Sequence, residues 1–184
     1  MLILGLALPL ASLADGLARY SALAGFGGEF ELTDHHGETF SLADARGKVV
    51  LIAFGFTTCA SVCPLTLNEL AATMKVLGPE ADRVLPVFVS VDPVRDTPSA
   101  LREYVTYFHP SIVGLTGSQD QLRQVARQYR APFYVRRPDE YGEYVVDHSS
   151  KLFVVDGEGT LANILRLGTH PDQVARVVRG LLDG

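Results

Sequence analysis

Residues 48–64 read Lys48-Val49-Val50-Leu51-Ile52-Ala53-Phe54-Gly55-Phe56-Thr57-Thr58-Cys59-Ala60-Ser61-Val62-Cys63-Pro64. The stretch 48–56 is a near-continuous apolar run, which predicts a strand buried on both faces. The end of the stretch carries both cysteines of the chain. A buried strand that runs into a helix through such a loop puts chemistry at its carboxyl end, where open α/β sheets place ligands because the loops diverge there.

Working outward, Leu67, Leu70, Ala71, Met74 and Leu77 recur at helical spacing, and Gly78-Pro79 ends that helix. Residues 83–91 form a second buried strand. Thr97 caps a helix that has Pro98 at its first position and the stripe Leu101, Tyr104, Val105 and Phe108. Ser118 and Gln121 make a capping-box pattern ahead of Leu122, Val125, Ala126 and Tyr129. Residues 136–142 read as a polar loop. Residues 151–155 and 160–165 are strands joined by Asp156-Gly157-Glu158-Gly159, and residues 171–182 close the chain as a helix facing inward through Val174, Val177, Val178 and Leu181. Toward the N-terminus, 29–33 and 39–40 flank Asp34-His35-His36-Gly37 as a hairpin with its turn. Strands alternating with helices predict one α/β domain, residues 27–184, with helices on both sides of a sheet.

Composition agrees. At 184 residues with 47% hydrophobic and 20% charged side chains, the chain is long enough for one real core and too short for two comfortable ones. The net charge of -5 and the absence of any basic run exclude nucleic acid as an expected partner. Residues 2–13 are almost wholly apolar, shorter than the roughly 20 residues that span a bilayer. No basic residue precedes this run, because the first is Arg19. Residues 1–26 are therefore set apart as an export or anchoring segment.

Cys59 and Cys63 are the chain's 2 cysteines. Closing so short a loop removes little unfolded-chain entropy, so the pair reads as a redox or metal site rather than a structural staple. Wound helically, residues four apart would lie about 5–6 Å apart on one face. A helix N-terminus favours thiolate over thiol. Thiolates select Cu(I), and an imidazole helps to retain Cu(II); zinc ranks second, because structural zinc sites want four protein ligands. Among the histidines, His35 and His36 read as solvated turn residues, His109 as a helix-end residue and His170 as part of a cap. His148 stands just before the strand 151–155, at an edge of the sheet. Position alone leaves it open between a ligand and a histidine that satisfies local hydrogen bonds.

Four pieces stand in order: Gly47-Lys48 leading through Phe54-Gly55-Phe56-Thr57 to Cys59-x-x-x-Cys63-Pro64, then 90–97 (Ser-Val-Asp-Pro-Val-Arg-Asp-Thr), then 113–117 (Val-Gly-Leu-Thr-Gly), and last Val146-Asp147-His148-Ser149 with its strand and Asp156-Gly157 turn. Together they resemble the Sco (SenC) family of copper-delivery proteins. The likeness spans 28–182. It implies a thioredoxin-like fold, a central mixed sheet flanked by helices with an extra N-terminal hairpin. It also implies one copper ion held by Cys59, Cys63 and His148, the last at the place where thioredoxins carry a cis-proline. The implied partners are the copper-binding subunit of cytochrome c oxidase with its binuclear copper site, a copper donor chaperone and a thiol reductant. Cys59 and Cys63 would be the redox pair of any thiol-reductase activity. The implied place is the periplasmic face of a bacterial inner membrane. Family members carry Pro-Asp where this chain has Ala60-Ser61, so a negative charge beside the metal is missing here.

Three rivals stand beside this reading. A metal-free thiol–disulfide oxidoreductase usually separates its cysteines by two residues, not three. A peroxiredoxin would need Thr or Ser three before the reactive cysteine, where Ala60 stands. A copper sensor or store would use the same ligands as a carrier. The stretch 92–96 offers a carboxylate near copper, though a turn that caps the next helix explains it as well. Phe54, Phe56, Phe108 and Phe153 read as core, and Tyr141 and Tyr144 as partner-facing.

Overall fold

The computed structural model describes residue 23 and residues 25–141 and 143–183. The apolar run 2–13, and with it most of the segment 1–26 read as an export or anchoring element, lies outside the described residues. The strands of the main sheet are β1 (Glu31–Asp34), β2 (Thr39–Ser41), β3 (Val49–Gly55), β4 (Val84–Ser90), β5 (Val113–Thr116), β8 (Lys151–Val155) and β9 (Leu161–Arg166). A separate two-stranded ribbon pairs β6 (Tyr134–Val135) with β7 (Val146–Asp147). The helices are α1 (Val62–Leu77), α2 (Pro98–Phe108), α3 (Gln119–Gln128) and α4 (Pro171–Leu182). The main sheet runs β2-β1-β5-β4-β3-β8-β9, parallel at β3–β4–β5 and antiparallel on both flanks. It is the mixed, helix-flanked sheet expected.

β3 explains the layering. Every one of its residues is buried. Val49, Leu51 and Ala53 pack with Leu67, Leu70, Leu101, Val105 and Val174, which brings α1, α2 and α4 to one face. Val50, Ile52 and Phe54 face the other side, against Leu122, Val125 and Tyr129 of α3 and its end. The alternation follows from the two-residue period of a strand. Tyr129 is fully buried at the hub of the second layer, with its ring 5.6 Å from Phe153 and 6.2 Å from Phe54.

The caps fall where the residues predict. Thr97 accepts from the Ala100 amide at 3.3 Å, Ser118 and Gln121 close a reciprocal capping box, and His170 accepts from the Asp172 amide. Strand β5 is not foreseen by the sequence pattern, which marks 113–116 only as a motif, because four residues containing a glycine carry almost no alternation. Gly114 has to be small there, since an added Cβ would lie 3.2 Å from Leu101 and 3.3 Å from Val105.

A second correction concerns His35. It is 7% exposed rather than solvated, and its Nδ1 accepts the Gly114 amide at 2.9 Å. β1 pairs with β5 only as far as Asp34↔Leu115, so the imidazole takes over the next amide along the strand edge. His36 is exposed, as expected. At the end of α3, the Ala131 amide bonds the Ala126 carbonyl and the Arg130 amide bonds the Arg127 carbonyl, a Schellman closure. Its left-handed position, usually glycine, is Arg130 at φ 47°, a conformation that costs a non-glycine residue roughly 1–2 kcal/mol.

Replacing His35 with Leu leaves the buried Gly114 N–H unpaired. The expected loss, about 1–3 kcal/mol, is measurable by urea denaturation at pH 8. Burial lowers the pKa of native His35 below its ordinary 6.5, so the unfolded chain takes up the proton first. Wild-type stability from this group is therefore complete above 6.5 and falls as the pH drops below it, whereas His35→Leu lacks that part of the slope.

Candidate metal centre

β3 ends at Gly55, and the chain turns through Thr57 and Thr58 before α1 begins at Val62, with Ser61 at its cap position. Cys63 is in the first turn of α1, while Cys59 lies ahead of the helix, its amide bonded to the Phe56 carbonyl at 3.2 Å. The 59–63 segment is thus not wound helically as a whole, which corrects the geometric expectation. Pro64 sits in the first turn, where its missing N–H costs nothing.

His148 arrives from the other end of the chain. β8 pairs antiparallel with β3 in the register Ala53↔Leu152. Continuing that register past the end of the ladder brings residue 148 level with residue 57, at the mouth of the cysteine loop. His148 Nε2 lies 3.5 Å from Cys63 Sγ, and the donor atoms of Cys59, Cys63 and His148 all fall within 4.8 Å of one another. Bonds of about 2.0–2.3 Å to a borderline metal put the donors of a three-coordinate ion roughly 3.5–4 Å apart, so closure by about an ångström suffices. His148 Nδ1 is 3.1 Å from the Ser149 carbonyl. A carbonyl only accepts, so Nδ1 carries the proton and the Nε2 lone pair faces the sulfurs, as a metal-binding imidazole requires. Phe56 stands edge-on to the His148 ring, 5.6 Å between centroids, and limits its rotation.

The two thiols differ. Cys63 is 1% exposed, and burial pushes its pKa far up. Burial acts on Cys59 in the same direction, but hydrogen bonds from the Ser61 and Cys63 amides outweigh it and bring Cys59 down to about 7. The free N–H groups at the start of α1 therefore serve the cysteine outside the helix. Gly55 makes room beneath: a Cβ there would sit 2.6 Å from Cys63 Sγ and 2.6 Å from the Phe88 ring.

Neither carboxylate of 92–96 reaches the sulfurs. Asp96 is fully buried; it accepts from the Thr57 amide at 3.0 Å, the Thr57 hydroxyl at 2.6 Å and the Ser90 hydroxyl at 2.6 Å. It pins the loop that carries Cys59 to the end of β4. Burial raises its pKa, against the pull of those hydroxyls. Asp92 pairs with Arg95 and accepts from the Tyr144 hydroxyl at 2.7 Å, while Arg95 donates to the Tyr144 carbonyl at 3.1 Å. The Arg95 guanidinium also covers the Tyr144 ring at 3.9 Å and faces Phe56 at 5.6 Å. Tyr144, read from the sequence as partner-facing, is accordingly a latch that holds the segment leading to His148, while Tyr141 is 82% exposed. Gly55, Arg95 and Asp96 stand in the motifs that carry the resemblance, but their roles as floor, clamp and loop anchor, and the latch role of Tyr144, are not legible there, because an Asp-x-x-x-Asp spacing after a buried strand fits a turn equally well.

The SCO1/SenC family model matches residues 18–183. A SCO2-like protein from Rickettsia felis is 36% identical over 181 residues, 97% of this chain and 88% of that protein. The mitochondrial SCO2 homolog of Bos taurus is 39% identical over 154 residues, 83% of this chain and 58% of that protein. Among solved structures, copper-bound Bradyrhizobium japonicum ScoI is 34% identical, with a TM-score of 0.79 over 85% of this chain and 99% of its own. Copper-bound yeast Sco1 is 31% identical, with a TM-score of 0.80 over 87% of this chain and 90% of its own. The architecture is the thioredoxin-like one that the resemblance implied.

Two outcomes are expected of the metal-free, reduced protein. Iodoacetamide modifies Cys59 with a rate that rises with pH about a midpoint near 7, because the thiolate is the nucleophile, and leaves Cys63 unmodified until the protein unfolds; mass spectrometry of the peptides reads both. Gly55→Ala overpacks the floor, costs about 1–3 kcal/mol in denaturant titration and displaces the Cys63 sulfur.

A matching family model along nearly the whole described chain, close structural counterparts, and a Cys-Cys-His cluster at the carboxyl end of β3 agree: this chain belongs to the SCO1/SenC family.

Proposed function

We propose that the chain is a copper carrier that holds one ion through Cys59, Cys63 and His148 and delivers it to the copper site of cytochrome c oxidase. The observation that carries this reading is the convergence of two sulfurs and one correctly protonated imidazole within 4.8 Å. Two thiolates suit Cu(I), and the imidazole adds a donor that tolerates Cu(II), so the same trio serves an ion that changes oxidation state. Support for the cargo comes from the copper-bound ScoI and Sco1 counterparts. Support for the destination comes from BsSco, a solved counterpart 25% identical to this chain with a disulfide switch, which belongs to the Sco family of cytochrome c oxidase assembly proteins.

Delivery follows from ligand exchange. Cys59 is the partly exposed donor and already ionises near neutrality, so it is the sulfur that an incoming acceptor thiolate meets first. Cys63 is held under the loop and needs the metal to lose its proton, which binds copper loading to proton release. Exchange with a disulfide on the acceptor passes two electrons and two protons from the thiol pair to it, which joins Cys59 and Cys63 as a disulfide, leaves the acceptor with two thiols and removes both thiolates from the metal. A thiol-reductase role at the oxidase site uses the same pair; the acidified Cys59 beside a buried, high-pKa Cys63 is the observation that favours it as a second reading. We place the domain at 27–184, with residues 1–26 attaching it to the periplasmic face of the membrane, and a donor chaperone and a thiol reductant as its suppliers.

Anaerobic Cu(I) titration against a competing chelator, with X-ray absorption on the loaded protein, tests the reading. Two sulfurs and one nitrogen are expected for the wild type. His148→Ala is expected to weaken Cu(I) by more than about tenfold, since even second-sphere losses cost about 10–100-fold. Unchanged affinity in that variant would falsify the three-donor site.

A further inference from the structure

The metal centre opens into a trough that its own chemistry does not use. Around Cys59 and His148 lies a hollow of about 440 Å³. A second hollow of about 330 Å³ shares His148 and Asp147 with it and runs on to Tyr134, Pro132, Arg130 and Lys151. A third, of about 420 Å³, shares Arg130, Pro132 and Tyr134 with the second and ends between Arg123 and Arg127. The walls are continuous from the copper donors to the outer face of α3.

The charge along this trough opposes that of the chain. The protein carries -5, yet the lining of the two outer hollows holds Arg123, Arg127, Arg130 and Lys151 against one acid, Asp147. Asp147 is already held by Arg136 through two bonds of 2.8 and 2.9 Å. Among the described residues none of the four cations forms an ion pair, and all four are exposed. Beside them stand exposed apolar side chains that line the hollows, Tyr134 at 67% and Val145 at 58%. Tyrosine and arginine around a small apolar centre is the composition of a protein interface rather than of a solvated face.

Arg130 is the independent sign. The chain keeps an arginine at the left-handed closure of α3, where glycine would be unstrained; this arginine lines both outer hollows, and its guanidinium lies 3.9 Å over the Phe26 ring. Strain of this kind persists where the side chain is wanted. Handing over copper by ligand exchange requires the acceptor to touch the exposed edge of Cys59 and His148, and a body the size of a protein domain seated there also covers the second hollow.

We propose that the trough from His148 past Tyr134 to Arg123 is the docking surface for an acidic face of the protein that exchanges copper with this chain. The cargo in this statement rests on the copper reading above; the docking itself does not. Opposite charge steers such encounters and orients them, so salt weakens the docking.

The test uses the metal-free, reduced chain and a fluorescent peptide with a Cys-x-x-x-Cys pair beside about six glutamates, against the same peptide with glutamines. Fluorescence anisotropy is expected to show roughly tenfold tighter binding of the glutamate peptide at low ionic strength, fading by about 0.5 M salt. The double variant Arg123→Glu, Arg127→Glu loses that preference and gains one for a lysine peptide, with Cu(I) affinity unchanged. Arg130→Gly lowers peptide affinity severalfold without lowering the melting temperature. Equal binding of the two peptides by the wild type overturns the proposal, as does a preference that survives the charge reversal. It is equally overturned if the reversal leaves peptide binding intact and instead abolishes sedimentation with phosphatidylglycerol vesicles, which would assign the face to a membrane. Failure of the wild type to bind Cu(I) overturns the copper reading alone, because the peptide arms need no metal.

Discussion

The contact between Cys63 Sγ and His148 Nε2 joins positions 85 residues apart, and the rest of the structure is arranged so that it can form. It needs a sulfur sunk into the sheet, and Gly55 supplies the depth by having no side chain where Cβ would collide with it. It needs an imidazole brought in from the opposite direction, and the antiparallel β3–β8 register does this by placing the segment before Leu152 over the end of β3. Both conditions are set by backbone geometry inside a close-packed core, which accommodates changes poorly.

Two anchors transmit that rigidity to the loops. Asp96 collects three donors from Thr57 and Ser90 and so fixes the cysteine loop to β4. Asp92 and Arg95 grip Tyr144 from below and above, which fixes the segment that ends in His148. Both anchors come from one short stretch after β4, so a single turn braces the two halves of the donor set. The carboxylates act by holding positions and not by touching the sulfurs. With Ala60 and Ser61 also uncharged, the donor set has no carboxylate of its own among the described residues.

The thiols divide the work by environment. Amides at the start of α1 point back at Cys59 and stabilise its thiolate, while burial withholds ionisation from Cys63. One sulfur is thereby ready at neutral pH and the other answers to a metal. Cys59 and His148 line the hollow through which the site opens toward the trough beyond it.

The linear chain determined a good deal unaided. The unbroken apolar run of β3 can only be a strand covered on both sides, the helical stripes and caps announce α1 to α4, and two cysteines ahead of a helix proline mark a reactive loop. Those features are local, written in side-chain period and in groups within a turn of one another, so they survive reading without coordinates. The candidacy of His148 as a metal donor became legible only through resemblance, since its isolated position carries no periodic signal. Strand β5, the burial of His35, the anchoring by Asp96, the latch at Tyr144, the space above Gly55 and the assignment of the low-pKa thiol to Cys59 belonged to the tertiary structure alone. Each is a contact between segments far apart in the chain, decided by sheet register and by what else is packed nearby, and no local pattern encodes which distant partner a side chain will meet.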